Sequence, residues 1–241
     1  MTVLRVLSTL AVMGAMRDLT AMHERETGIR IDADFAPTAA LLERLRGQEA
    51  ADLAILTAQG IDTLTHEGII QAGTRTDVAL SFVGLAIRAG ASRPDIASVA
   101  AFKATLLAAR SVAYAKIGAS GLFFAGLTER LGIAAEVHAK ATIVPSGFTA
   151  ERLVSGEADL AVQQISELMV VPGIEILGPL PAAIQTSALF SAGVLAGSAQ
   201  RAAASAFAAF LGSDQIAPVL RRAGLEPPGG EPPKGERPED G

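Results

Sequence analysis

Apolar residues fall along this chain in short runs that alternate between the rhythms of strand and helix. Residues 3–8 form a compact run, apolar but for Arg5 and the closing Ser8, which predicts a buried first strand. A helix is predicted from 12 to 26, with Leu19 and Met22 on its apolar side and Gly28 as its stop. Residues 29–35 place Ile29, Ile31, Ala33 and Phe35 at period two, the pattern of a second strand. Thr38 is the expected N-cap of a helix reaching Gly47, whose apolar side is Leu41, Leu42 and Leu45. Residues 52–56 read as a third strand, and Thr57-Ala58-Gln59 leads into a short helix. Strand and helix joined three times by short loops predict a parallel sheet covered by helices.

The rhythm changes at residues 77–88, a long extended apolar run with no helix beside it, expected to leave the first lobe as a crossover strand. A helix within 94–109 follows, then a buried strand at 111–115. The small-residue turn Gly118-Ala119-Ser120-Gly121 then opens a helix with Leu122, Phe123, Leu127 and Leu131 on one face and Gly132 as its stop. Residues 141–144 form a strand, Pro145-Ser146-Gly147-Phe148 a turn into a helix ending at Ser155, and residues 159–163 another strand. After a short extended piece at 174–177, residues 185–195 make a second long crossing. Helices at 198–211 and 214–223 close the folded part, and from Glu226 the composition of Pro, Gly, Glu and Lys predicts a disordered tail. The expected fold class is α/β, with two lobes joined by two extended crossovers and a ligand cleft between them. Residues 1–80 with 190–225 make the first lobe, 81–189 the second, and 226–241 the tail.

Composition narrows the function. Net charge is −5 and the 20 basic residues are scattered, which argues against nucleic acid as a partner. Cysteine is absent, so disulfides and thiolate metal sites are excluded, and three separated histidines have no metal-ligand spacing. No metal and no cofactor is expected. No apolar stretch approaches the roughly 18 residues of a membrane span, so no membrane insertion is expected. The N-terminal run lacks a basic n-region and a cleavage site, so the chain as written reads as cytoplasmic, or as periplasmic with its leader removed. A monomer is expected.

Several short motifs stand in a telling order. Ser8-Thr9 follows the first strand, and Gly28-Ile29-Arg30-Ile31 begins the second. Thr38 opens a helix, Ala51-Asp52-Leu53 begins the third strand, and Leu131-Gly132-Ile133 ends the later βα unit. The stretch from Leu153 to Gln164 then closes the series. In that order the chain resembles the molybdate-binding-protein branch of the type II periplasmic binding proteins, over residues 2–224. It is also similar to aconitate isomerase, which looks like the same fold turned to moving a double bond in a tricarboxylate. The resemblance implies a small anion held by neutral hydroxyls and backbone N–H groups, and an ABC permease as partner for an exported receptor. It carries candidate ligand-binding roles onto Ser8, Thr9, Thr38 and Thr57 in the first lobe. In the second lobe the candidates are Ser120, Gly121, Ser146, and Gln163 or Gln164. All lie at predicted carboxyl ends of strands or at helix starts, where free N–H groups and the helix dipole favour anions.

Two departures from the family pattern shape the expectation. The place where molybdate binders often carry a tyrosine is Val162-Gln163-Gln164, and the second-lobe turn brings in a cation, Lys116. An organic carboxylate gains from such a cation more than an oxyanion held by neutral dipoles. If the chain is an enzyme, Lys116 is the candidate clamp or base. His23 and His66 read as solvated helix positions and His138 as an exposed turn before a strand. Three functions stay open: a solute receptor for a small anion, a cofactor-independent isomerase of a small polycarboxylate, and a cytoplasmic ligand sensor.

Overall fold

The computed structural model describes residues 2–231, so the predicted tail from 232 onward lies outside the described residues. The chain divides into two compact units, the first running to Ser81 and resuming from Ala188 to Gly230, the second spanning Phe82–Ser187.

In unit 1, β1 (Val3–Thr9), α1 (Met13–Thr27), β2 (Arg30–Ala36), α2 (Thr38–Arg46), β3 (Leu53–Thr57) and α3 (Ala58–His66) alternate. β1 runs parallel to both β2 and β3. The alternation of β1 explains its two covers. Leu4 and Val6 face one layer, packed with α1, while Leu7 faces the other with Leu41, Leu45, Ile61 and Leu64. Strands buried on both faces read as continuous apolar runs, as here. Arg5, the charge inside that run, is satisfied by nearby carboxylates: its guanidinium donates to Asp32 at 3.1 Å and Glu49 at 3.4 Å.

β4 (Thr76–Arg88) carries the chain into unit 2. There follow α4 (Val99–Ala108), β5 (Val112–Ala115), α5 (Ala119–Arg130), α6 (Ala134–Ala139), β6 (Ala141–Val144), α7 (Glu151–Val154), β7 (Leu160–Gln164), α8 (Ile165–Leu168) and β8 (Ile174–Pro179). β5 is parallel to β6 and β7, and β4 runs antiparallel to β7 and β8. Gly84 lets these layers meet: a Cβ there would lie 2.6 Å from Ile165 and 2.8 Å from the Gly178 carbonyl. The chain returns through β9 (Ser187–Val194), antiparallel to β3, and unit 1 is completed by α9 (Arg201–Leu211) and α10 (Ala217–Arg222).

Two aspartates that head strands serve as anchors. Asp52 accepts from the Arg5 backbone at 3.0 Å, the Ser198 hydroxyl at 2.6 Å and the Gln200 amide at 3.2 Å. Asp159 accepts from both the backbone and the guanidinium of Arg110, each at 2.8 Å. The motif aspartates therefore tie strand starts to distant chain.

Some sequence expectations are revised. α5 begins at Ala119, one turn earlier than its leucines suggest, and buries Ser120, Gly121, Phe124, Leu127 and Thr128. Leu122 is 64% exposed. α4 begins at Val99, behind a Ser98 cap that accepts from Ala101 N–H. The helix expected to reach Ser155 is the single turn α7, because the preceding loop is held by side-chain hydrogen bonds instead. His23 is buried, with its ring 4.9 Å from Phe207 and 5.2 Å from Phe210, and burial pushes its pKa below the ordinary histidine value. Its charged sequence neighbours Glu24, Arg25 and Glu26 are exposed. His138 sits exposed on α6 instead of in a turn. Glu226, expected to begin the tail, instead pairs with Leu80 as an isolated antiparallel bridge.

Candidate functional site

In unit 1 the carboxyl ends of β1, β2 and β3 lie side by side, because Thr9 pairs with Ala36 and Ser8 with Ile55. Ser8 is fully buried and Thr9 nearly so. The Ser8 hydroxyl donates to the Thr9 carbonyl at 3.3 Å, and the Thr38 hydroxyl donates to Thr9 Oγ1 at 3.5 Å. Thr57 caps α3 by accepting from Gly60 N–H at 3.2 Å, and a Cβ on Gly60 would lie 3.5 Å from the Thr38 methyl. All four expected hydroxyls of this unit are thus neighbours. Thr38 is the first residue of α2, behind the N-cap Pro37, which offers no side-chain acceptor. Thr9 likewise leaves the 3-10 turn at Leu10–Val12 without a side-chain cap. The first N–H groups of these helical turns have no intrahelical partner and point at the end of the sheet.

In unit 2 the loops after β5, β6 and β7 share the carboxyl edge of the parallel strands, since Ala115 pairs with Val144 and Tyr114 with Val162. Lys116 N–H donates to the Val144 carbonyl at 2.8 Å while the residue itself stays exposed. Gly118 is the N-cap of α5 and makes no side-chain cap. Gly121 is required by close approach: a Cβ there would lie 1.8 Å from the Ala115 carbonyl oxygen. The first turn of α5 is thereby pressed onto the end of β5, and Ser120 is buried beside it. Ser146 is exposed in the loop after β6.

The two glutamines at the end of β7 differ. Gln163 holds the loop after β6: its Oε1 accepts from Thr149 N–H at 2.8 Å and the Thr149 hydroxyl at 2.9 Å, and its Nε2 donates to the Gly147 carbonyl at 3.1 Å. Gln164 is 4% exposed, and its Oε1 is buried with no hydrogen-bond partner.

One group has no counterpart among the sequence candidates. Glu167 is 9% exposed, and burial pushes its carboxyl up to about 7, against hydrogen bonds from the Gln163 side chain and the Gln164 backbone that favour the charged form. Glu167 stands three residues after the N-cap Gln164, the spacing of a capping box. The available signal was that Glu167 is the only charged residue between Asp159 and Glu175.

A cavity of about 790 Å³ opens elsewhere in unit 2, where Arg110 and Asp159 precede β5 and β7. It lies at the amino ends of those strands, away from the loops at their carboxyl edge. Among the described residues no group of three or more His, Cys, Asp or Glu is arranged to hold a metal ion, and no single helix is long and apolar enough to cross a membrane.

A family model described as bacterial extracellular solute-binding protein matches residues 4–226. The chain belongs to this family. Aconitate isomerase from a Pseudomonas species is 35% identical over 232 residues, covering 94% of this chain and 88% of that protein. Among solved structures, the periplasmic molybdate-binding protein of Azotobacter vinelandii superposes with a TM-score of 0.79 at 17% identity, covering 93% and 99% of the two chains. The substrate-binding domain of a putative molybdenum ABC transporter from Clostridium difficile gives 0.72 at 16% identity, covering 94% and 99%. At these identities the structural likeness establishes the fold, and this family member has the α/β architecture of the periplasmic binding proteins.

Proposed function

We propose that this chain binds a small organic polycarboxylate, using neutral hydroxyls and helix-start N–H groups at the carboxyl edges of its strands. The observation that carries this reading is the gathering of Ser8, Thr9, Thr38 and Thr57 at one sheet edge of unit 1. Unit 2 supports it with Ser120 in the uncapped first turn of α5 and the exposed cation Lys116 just ahead of it. A charged clamp favours a carboxylate, which accepts charge-assisted hydrogen bonds, over an oxyanion matched to neutral donors. Molybdate-, sulfate- and tungstate-binding neighbours make an inorganic oxyanion the competing ligand class.

The fate of the bound ligand divides the biological roles. A receptor of the solute-binding family works outside the cytoplasmic membrane and delivers its ligand to an ABC permease. A second reading, isomerisation of the bound polycarboxylate, is favoured by the 35% identity to aconitate isomerase across nearly all of both chains. A sensor that acts through a protein partner is the third outcome.

A thermal-shift panel of molybdate, tungstate, sulfate, phosphate, citrate and the two aconitate isomers tests the binding class. Ligand at a hundred times Kd adds about 2.7 kcal/mol to stability, a readily measured rise in Tm. The expected result is a rise with a tricarboxylate. A rise with molybdate or tungstate alone would replace the carboxylate by an oxyanion. Ser8→Ala combined with Ser120→Ala should abolish the shift and leave the unliganded melt in place.

A further inference from the structure

Glu167 is a buried carboxyl for which unit 2 provides no counter-charge. Among the described residues it joins no ion pair. β7, on which α8 packs, contains no titratable residue. β8 contributes only Glu175, which is paired with Arg93 at 2.5 Å, and the part of β4 within unit 2 contributes only Arg88 at its far end. Residues 145–149, tied to β7 through Gln163, carry no charge either. A buried acid kept without a cation is a poor structural element, because its charged form is penalised and its neutral form adds little. It is well suited to exchanging a proton. Three residues before it stands Gln164, with a buried amide oxygen that has no partner. Turning that amide over puts its NH2 group in the same place, as a donor for a carboxylate.

We propose that Glu167 is a catalytic residue that carries a proton between two carbons of an unsaturated polycarboxylate, with the Gln164 amide engaging the same substrate. This rests on the polycarboxylate reading of the site. As carboxylate, Glu167 takes a proton from a methylene carbon that is adjacent to one carboxylate of the substrate and allylic to its double bond. The released electron pair forms a new double bond to the central carbon, and the old double bond's pair takes the proton back from Glu167 at its far carbon. One C–H bond breaks and one forms, no electron leaves the substrate, and no cofactor is required. The vinyl and methylene carbons exchange places, which permits the geometry about the double bond to change. Burial pushes the Glu167 carboxyl up to about 7, which makes it a stronger base than a solvated carboxylate once it is ionised. Lys116, exposed in its loop, keeps the role of a clamp.

The test uses the full chain with cis- and trans-aconitate in D2O, followed by proton NMR, beside thermal shifts with the same compounds. The wild type is expected to interconvert the isomers and to lose methylene and vinyl proton signal to deuterium. Glu167→Gln should bind both isomers with an unchanged thermal shift and lose turnover and exchange by about 100-fold or more. Glu167→Asp, which keeps a carboxyl at a shortened reach, should retain part of both activities and provides the comparison if the glutamine variant fails to fold. Turnover in Glu167→Gln within about threefold of wild type would overturn the assignment. So would a wild type that shows thermal shifts but neither isomerisation nor exchange. Absence of any shift with polycarboxylates would instead remove the binding reading, and this inference with it.

Discussion

At the scale of single residues, the polar groups of unit 2 do different jobs although they read alike in sequence. Gln163 and Gln164 are adjacent, yet one holds a loop and the other has a bare buried oxygen. Gln163→Leu should leave Thr149 N–H without its acceptor, the hydroxyl keeping the Val162 carbonyl, and cost about 1–3 kcal/mol in urea denaturation. Glu167 makes stability fall as pH rises. Its folded pKa lies above the unfolded value, so the folded state holds the proton longer. The stability it permits is complete below about pH 4.5 and is lost as pH climbs through about 7. Glu167→Gln should remove that slope and add about 2–3 kcal/mol at pH 8, an increment read from denaturation midpoints across the pH range. His23 acts in the opposite direction. Its pKa is lowered by burial beside Phe207 and Phe210, so its cost grows as pH falls below the ordinary histidine range.

At the scale of elements, the strands were legible because most carry a short apolar run, and period two or continuous hydrophobicity marks such runs directly. Helix positions were less so where small residues do the packing. In α5 the leucines suggested the buried face, but Gly121 sets it, because only a residue without a Cβ lets the helix touch the Ala115 carbonyl. Gly121→Ala should push the first turn of α5 off β5 and destabilise the protein by more than about 2 kcal/mol, with ligand-induced thermal shift lost in parallel. Leu122→Lys, on the exposed side, should change stability by less than about 0.5 kcal/mol. The unit 1 hydroxyls became candidates through the family resemblance, which matches short motifs near strand ends and helix starts. Glu167 was not found because capping spacing after a strand has a bland meaning, and only three-dimensional burial separates it from an ordinary helix start. The roles of Asp52 and Gln163 depend on partners far away in sequence, which no local pattern records.

At the scale of the whole molecule, unit 1 is assembled from two stretches of chain with all of unit 2 inserted between them. β9, α9 and α10 supply Phe190, Val194, Phe207 and Leu220 to the core that also contains Leu4, Val6 and Leu19. A fragment ending at Ser81 should therefore bind hydrophobic dye and melt without a cooperative transition, since only α1 is left to cover the layer that β9, α9 and α10 complete.

The Asp52 anchor sets a clock for synthesis. Its hydroxyl partner, Ser198, lies 146 residues further along the chain. At the usual pace of a ribosome, about 5–20 residues per second, the gap lasts roughly 7–30 s. For that interval β1 and β3 are out of the ribosome while β9, α9 and α10, which complete their core, are still being made. Completion of unit 1 is thus a late event, and the nascent chain carries a partly covered apolar layer long enough for chaperones to meet it.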